Sequence, residues 1–246
     1  MNAIAGLVAT HNIAPLLVRG LQQLDQAGHN TCGLAVYGQK NRQDLPPDLH
    51  RQRWTTGVSQ WQAKDVDTAF QCLQGRAGMA YSGQLALLGN RLMPQALPQV
   101  SHGPQATLNS PVRVTVVHHG SLHNQQALRQ VLLDRGYRFK SQSDTETIAH
   151  LIDAIHQGKP AQTLHRALGL LSGPMAVGVM FHDQPEHLFA VQCGVPLHWF
   201  AGPRHAGWSS KNSALMPESP PLSLLRAGEV LEIYPYENGV SHQLHA

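Results

Sequence analysis

Residues Val112–Ile155 read VRVTVVHHGSLHNQQALRQVLLDRGYRFKSQSDTETIAHLIDAI. The segment opens on an apolar strand, Val112 to Val117, that runs into a polar turn, His118 to Asn124. A helix is expected from about Asn124 to Arg135, because Ala127, Leu128, Val131 and Leu132 recur on one helical face. Gly136 stands where a left-handed C-cap belongs, since glycine takes positive φ without a Cβ clash. Ser143 to Glu146, SDTE, has the spacing of a capping box, in which the serine and the glutamate satisfy orphan amides reciprocally. It starts a second amphipathic helix with Ile148, Leu151, Ile152 and Ile155 inward. A strand, a glycine turn and a capped acidic helix start are the parts of a ligand site, because loops on a rigid scaffold carry function.

On the N-terminal side, Ile4 to Ala9 is a short apolar strand, and Asn12 caps a helix from Ile13 to about Ala27 with Leu16, Leu17, Leu21 and Leu24 as its buried stripe. Gly33 to Tyr37 and Arg53 to Gly57 read as strands, with a polar loop from Gln39 to Leu49 between them. Val66, Ala69, Phe70 and Leu73 mark a helix that stops at Gly75, and Ala77 to Ser82 is a core strand. Gly83 to Ser110 is proline-containing, shows no periodicity and reads as a long irregular segment, the kind that carries function. On the C-terminal side a helix spans Thr163 to Leu171. Strands follow at Met175 to Phe181, Leu188 to Gln192, Leu197 to Ala201, Gly207 to Ser209 and Val230 to Tyr234. The expected fold class is α+β, a four-layer αββα sandwich of two mostly antiparallel sheets in one domain, residues 1–246.

A chain of 246 residues buries a substantial core, and its net charge of +3 with 18 Lys+Arg forms no basic block that would suit nucleic acid. Three cysteines without close spacing favour a reducing compartment over a disulfide framework. No apolar run approaches the roughly 18 residues that span a bilayer. The expectation is a cytoplasmic protein with no membrane or nucleic-acid partner. His118, His119 and His123 are close in sequence, but strand alternation sends adjacent side chains to opposite faces, and no zinc-ligand spacing accompanies them. No metal and no cofactor are expected. Cys32, Cys72 and Cys193 are each read as core residues.

VVHHG, RGYRF and QSDTETIAHLI together resemble the glutaminase domain of glucosamine-6-phosphate synthase, a class II glutamine amidotransferase of the N-terminal-nucleophile hydrolase superfamily. The resemblance runs from Met1 to about Gly239 and implies the four-layer fold; no counterpart of the sugar-isomerising domains is expected within 1–246. In that family an N-terminal cysteine attacks the glutamine amide and its own α-amine acts as base. Asn2 stands at the position of that cysteine, in Met1-Asn2-Ala3-Ile4-Ala5-Gly6, and a carboxamide does not attack a carbonyl at useful rates. The family's Asn-Gly oxyanion pair is His119-Gly120 here, and loss of one such donor costs an active enzyme about 3 kcal/mol. Gly83, in Ser82-Gly83-Gln84-Leu85-Ala86-Leu87-Leu88, stands where the family's arginine grips the glutamine carboxylate. Asp144 matches the aspartate that holds the substrate's ammonium; it also lies in a helix's first turn, where a negative charge favours the helix dipole by itself.

No catalytic residue is therefore expected to be intact, and the degenerate positions are Asn2, His119 and Gly120. The primary expectation is a catalytically inactive relative that acts as a partner or regulatory subunit, with the apolar LALL segment as contact surface. A small-molecule binding module is the alternative, with Asp144, Gly120, His119 and Gly83 receiving an amine or amino acid. A divergent amidotransferase subunit using His119 as acid or base is the third.

Overall fold

The computed structural model describes residues 3–24, 30–40, 48–54, 73–88, 91–94, 98–107, 110–211 and 221–246. Its strands are β1 (Ala3–Ala9), β2 (Asn30–Lys40), β3 (Asp48–Trp54), β4 (Leu73–Leu88), β5 (Arg91–Pro94), β6 (Gln99–Ser101), β7 (Val114–Gly120), β8 (Met175–Phe181), β9 (Leu188–Cys193), β10 (His198–Ala201), β11 (His205–Ser209), β12 (Ser223–Leu224), β13 (Val230–Tyr236) and β14 (Gly239–His245). The helices are α1 (Ala14–Leu24), α2 (Gln125–Asp134), α3 (Asp144–Ile155) and α4 (Pro160–Leu170).

One sheet runs β12-β10-β11-β1-β4-β2-β3, with β5 added to β4; the other runs β14-β13-β9-β8-β7-β6. Every named strand pairing is antiparallel. Side-chain alternation along β1 sorts the layers. Ala3, Ala5, Leu7 and Ala9 join Ile13, Leu17 and Leu21 in the core beneath α1. Ile4 and Val8 join Met79, Tyr81, Val117, Ala176 and Trp208 in the core between the sheets. Val114, Val116, Val177 and Val179 face Ile148, Ala149, Ile152 and Leu164 under the α3–α4 layer. The four-layer α+β sandwich is the one expected.

The C-cap at Gly136 forms as the sequence implies. Gly136 has φ 87°, its amide donates to Leu133 O at 2.9 Å, and the Tyr137 amide donates to Leu132 O at 3.0 Å. Leu132 and Tyr137 then pack together, which completes a Schellman ending. Gly136→Ala will cost about 1–2 kcal/mol, the penalty of an L-residue in the left-handed region, and urea unfolding monitored by circular dichroism will measure it. Asn12 Oδ1 accepts from the Ala14 amide at 3.2 Å and from the Gly75 amide at 3.3 Å, so the α1 cap is also a staple to β4.

Several local expectations are corrected. The helix read to end at Gly75 is overturned over Leu73–Gly75, which begin β4; Val66, Ala69, Phe70 and Cys72 lie outside the described residues. Pairing along nearly all of β2 overrides the helical spacing there. The irregular segment from Gly83 holds the end of β4, then β5 and β6, and LALL is a hairpin arm whose Leu85–Leu88 pair with Arg91–Pro94. His118, His119 and Gly120 continue β7 instead of forming a turn, because β8 offers them partners as far as Met175. Helix α4 starts at Pro160, three positions before the expected Thr163; proline at the first helical position lacks only an amide that would be unpaired anyway. The polar edge strand β14 carries no hydrophobic alternation and was not expected. Glu232 ties it down, with Oε2 2.7 Å from His245 Nε2 and Oε1 2.8 Å from His187 Nδ1.

Candidate functional site

Strand β7 delivers the two histidines to opposite layers. Val114 and Val116 face the helices and Val117 faces the first sheet, so alternation puts His118 on the helix side and His119 between the sheets. His118 is 4% exposed, and its Nε2 has no hydrogen-bond partner among the described residues. Burial, with a smaller contribution from His119, pushes its pKa down to about 4. His119 Nδ1 also lacks a partner among the described residues, and its pKa is lowered first by burial and then by the charge of Lys211. Both rings are neutral near pH 7. Gly120 is confined to glycine twice over: its φ is 126°, and a Cβ there would overlap Pro174 O.

Asp144 reaches the same strand end from the helix layer. Its Oδ2 accepts from the Leu122 amide at 3.0 Å, which fastens the start of α3 to the turn after β7. Ser143 Oγ accepts from the Glu146 amide at 3.2 Å, the forward half of the capping box. The reciprocal half is corrected. Glu146 turns its carboxylate to the preceding loop, accepting from the Lys140 and Ser141 amides at 2.7 Å each and from Ser141 Oγ at 2.6 Å. Two backbone amides and a hydroxyl offer a buried carboxylate more than the single Ser143 amide, which donates to Ser141 Oγ instead.

Gly83 lies in β4 opposite Thr31, and its neighbour Ser82 pairs with Ala3 at the start of β1. Asn2 lies outside the described residues. Ser210 holds the same end from the other side: its amide donates to Ile4 O at 2.9 Å, and its Oγ accepts from the Ile4 amide at 3.0 Å. Lys211 follows directly. Gly83, the start of β1, Lys211 and His119 thus share one end of the inter-sheet layer, with Gly120 beside them and Asp144 behind β7.

Lys211, Tyr81 and Trp208 are the parts of this end that sequence reasoning missed. No local signal marks them, because the pairing of β1 with β4 and β11 brings them there. Cys32 is fully buried beneath α1, as expected of a core residue. Cys193 is exposed at the end of β9, against the core placement expected for it, because it leads into the Gly194 turn, where φ is 78°. Among the described residues no group of three or more His, Cys, Asp or Glu is arranged to hold a metal ion, and no helix is long and apolar enough to cross a membrane.

His118 gives a pH dependence of fixed sign. Its folded pKa, about 4, lies below the value near 6.5 that an unfolded histidine has, so the unfolded chain takes up the proton first. Its contribution is fully present above pH ~6.5, declines as pH falls, and is gone below about 4, a change of about 3 kcal/mol. Comparing urea unfolding at pH 7 and pH 4.5, His118→Leu will lose less stability on acidification than the parent. Equal losses in both proteins would remove His118 as the cause.

A family model described as a glutamine amidotransferase domain matches residues 90–217. The chain is 30% identical over 233 residues to glutamine–fructose-6-phosphate aminotransferase (isomerizing) of Bordetella pertussis, covering 95% of this chain and 36% of the relative. It is 32% identical over 235 residues to the enzyme of the same name from Yersinia pestis, covering 95% of this chain and 35% of the relative. The chain therefore spans about a third of the length of these relatives. Among solved structures, the glutamine phosphoribosylpyrophosphate amidotransferase of B. subtilis shares the fold at a TM-score of 0.70 and 20% identity, covering 98% of this chain and 48% of that one. A glutamine aminotransferase class-II domain protein from Silicibacter pomeroyi matches at a TM-score of 0.56 and 15% identity, over 98% of this chain and 97% of that one.

Proposed function

The chain belongs to the class II glutamine amidotransferase domain family, and from that premise we propose that it is a non-hydrolysing member acting as a partner or regulatory subunit. The observation that carries this reading is Gly83. Where the resembled family places an arginine to grip the glutamine carboxylate, this chain has a glycine paired into β4 opposite Thr31, with no side chain to grip anything. Two further positions support it. Asn2 occupies the place of the nucleophile in sequence, and His119 presents a neutral, partly buried ring where the family presents an asparagine amide. One Asp144 oxygen is engaged by the Leu122 amide, so the carboxylate acts as a brace as well as a charge.

The similar aminotransferases are named for glutamine and fructose-6-phosphate, and this chain matches about a third of each. A subunit of this kind would bind a chain that handles amino-sugar or nitrogen chemistry. Purified protein incubated with L-glutamine is expected to release no ammonia above the spontaneous rate, since removal of a nucleophile typically costs on the order of a millionfold in kcat. Sustained release would overturn the non-hydrolysing reading. For the subunit reading, the chain isolated from its own cells is expected to elute with one stoichiometric partner, and elution alone would count against it.

A further inference from the structure

Strand β14, GVSHQLH, is an outer edge of the second sheet, and among the described residues β13 is its one neighbour in that sheet. Its middle is open on both faces: His242, Gln243 and Leu244 are all exposed. An open edge is a template for another strand, and proteins guard such edges with charge, proline, shortness or cover. The other described edges are guarded. β3 carries Arg51 and Arg53, β5 ends in Pro94, and β12 is two residues long. β6 is covered by α3, with Ser101 fully buried and its Oγ donating to Asp153 Oδ2 at 2.9 Å. β14 has none of these devices. It contains no Asp, Glu, Lys, Arg or Pro, and its pairing with β13 runs from Tyr236–Gly239 to Val230–His245 without a bulge.

The backbone hydrogen bonds decide which groups this edge offers. The Val240 amide donates away from β13, to Pro203 O at 3.3 Å. In an antiparallel pair, successive residues turn their N–H and C=O alternately toward the partner and away from it. Ser241 and Gln243 therefore bond to β13, while His242 and Leu244 turn their amides and carbonyls outward. Both ends of the strand are pinned, Val240 by Pro203 O and His245 Nε2 by Glu232 Oε2 at 2.7 Å. The edge is thus presented already ordered, and pairing it costs little further entropy.

A second copy of the same edge fits these groups. With a two-fold axis through Gln243, His242 of each copy lies opposite Leu244 of the other, and each of these pairs exchanges two N–H···O bonds. Every outward amide and carbonyl of His242 and Leu244 is then used, and Val240 keeps its bond to Pro203. An axis through His242 would instead need the Val240 amide, which is already engaged. Ser241 falls opposite His245 of the other copy, and neither strand carries a carboxylate, an amine or a guanidinium to repel its mate. Leu244, 44% exposed in the single chain, is covered by the added strand.

We propose that β14 is a self-association edge, at which two copies of this chain pair antiparallel about Gln243 and join their second sheets into one. The proposal goes beyond the subunit reading and does not rest on it. One strand pair is a small interface, so the dimer is weak and concentration-dependent.

Sedimentation equilibrium over about 1–200 µM protein is expected to show the mass rising from monomer toward dimer. Leu244→Pro removes an outward amide that β13 does not use, and Leu244→Lys installs a guarding charge. Each should weaken association about tenfold or more and leave the far-ultraviolet circular dichroism spectrum unchanged. In a Cys193→Ser background, which removes the exposed native thiol, Gln243→Cys should cross-link the two copies on oxidation. Directly opposed residues of a non-hydrogen-bonded pair stand about 4.5 Å apart at Cα, within disulfide reach. Ser241→Cys, two residues off the axis, should not cross-link. Monomer mass at every concentration would overturn the proposal and leave the edge to an extended segment of another protein. Association undiminished in both Leu244 variants would place the interface elsewhere and overturn it too, and cross-linking through Ser241→Cys but not Gln243→Cys would overturn the register.

Discussion

Trp208→Ala will lower the unfolding free energy by about 3–5 kcal/mol, the cost of deleting a large aromatic ring from a packed core. The side chain is fully buried, and its ring spans the space between Gly6 on one sheet and Gly178 on the other. No side chain at either glycine can move in to fill the gap, so the cavity will relax poorly. For a chain of this length the change corresponds to a fall of about 10 °C in melting temperature. Gly178→Ala tests the same packing from the other direction. A Cβ there would overlap Trp208 Cη2 and will cost about 1–3 kcal/mol by overpacking. In the Trp208→Ala background that cost should vanish, because the new methyl enters the cavity. Additive losses in the double-mutant cycle would show that the indole does not rest on Gly178.

Asp153→Ala will remove about 3 kcal/mol or more, as expected for breaking a buried, hydrogen-bonded carboxylate. The side chain is 0% exposed and accepts from Ser101 Oγ at 2.9 Å and Tyr137 Oη at 3.0 Å, with Arg113 Nε at 3.0 Å. Alanine strands the first two donors in the core; Arg113, about half exposed at 48%, recovers water. Burial, then the Asp153 charge, holds the Tyr137 phenol well above its ordinary pKa, so it remains a donor throughout the physiological range. His150 extends the network, with Nδ1 3.0 Å from Ser101 Oγ and Nε2 3.3 Å from Arg138 O; its pKa is lowered by burial against the pull of Glu146. The group locks β6, α3 and the Tyr137–Ser141 loop to one another. Urea unfolding of Asp153→Ala and Asp153→Asn will show the larger loss for alanine, which adds a cavity to the lost charge; equal stability with the parent would show that the network contributes nothing net.

The readable parts of the chain share a property. Gly136 and Ser143 act on partners within a few residues, the Ile148, Leu151 and Ile152 stripe follows the helical repeat, and all behave as their spacing implies. The β8 strand from Met175 was legible because it is buried along its whole length and shows as a continuous apolar run. The failures are of another kind. Leu73 carried a helical spacing, yet β2 pairs with β4 from Lys40–Leu73 to Asn30–Gln84 and draws that segment into the sheet. Edge strand β14 had no pattern to read because only one side of it is paired. Glu146 was read as a capping-box partner for Ser143, but the loop folds back and supplies better donors.

By itself the sequence determined the C-cap at Gly136 and the N-cap at Ser143, the apolar strands, the four-layer fold class and the residue types at positions 2, 83, 119, 120 and 144. Those depend on chain geometry over a turn or a pleat, or on motifs that stand in the sequence as written. Only the tertiary structure decided that the charge of Lys211 reaches His119 while His118 is buried on the helix side of β7, and that the Trp208 ring lies across Gly6 and Gly178. Such neighbours are chosen by strand register and by the packing of one sheet on another. A strand pattern of period two says that a residue faces in, and never what it will face.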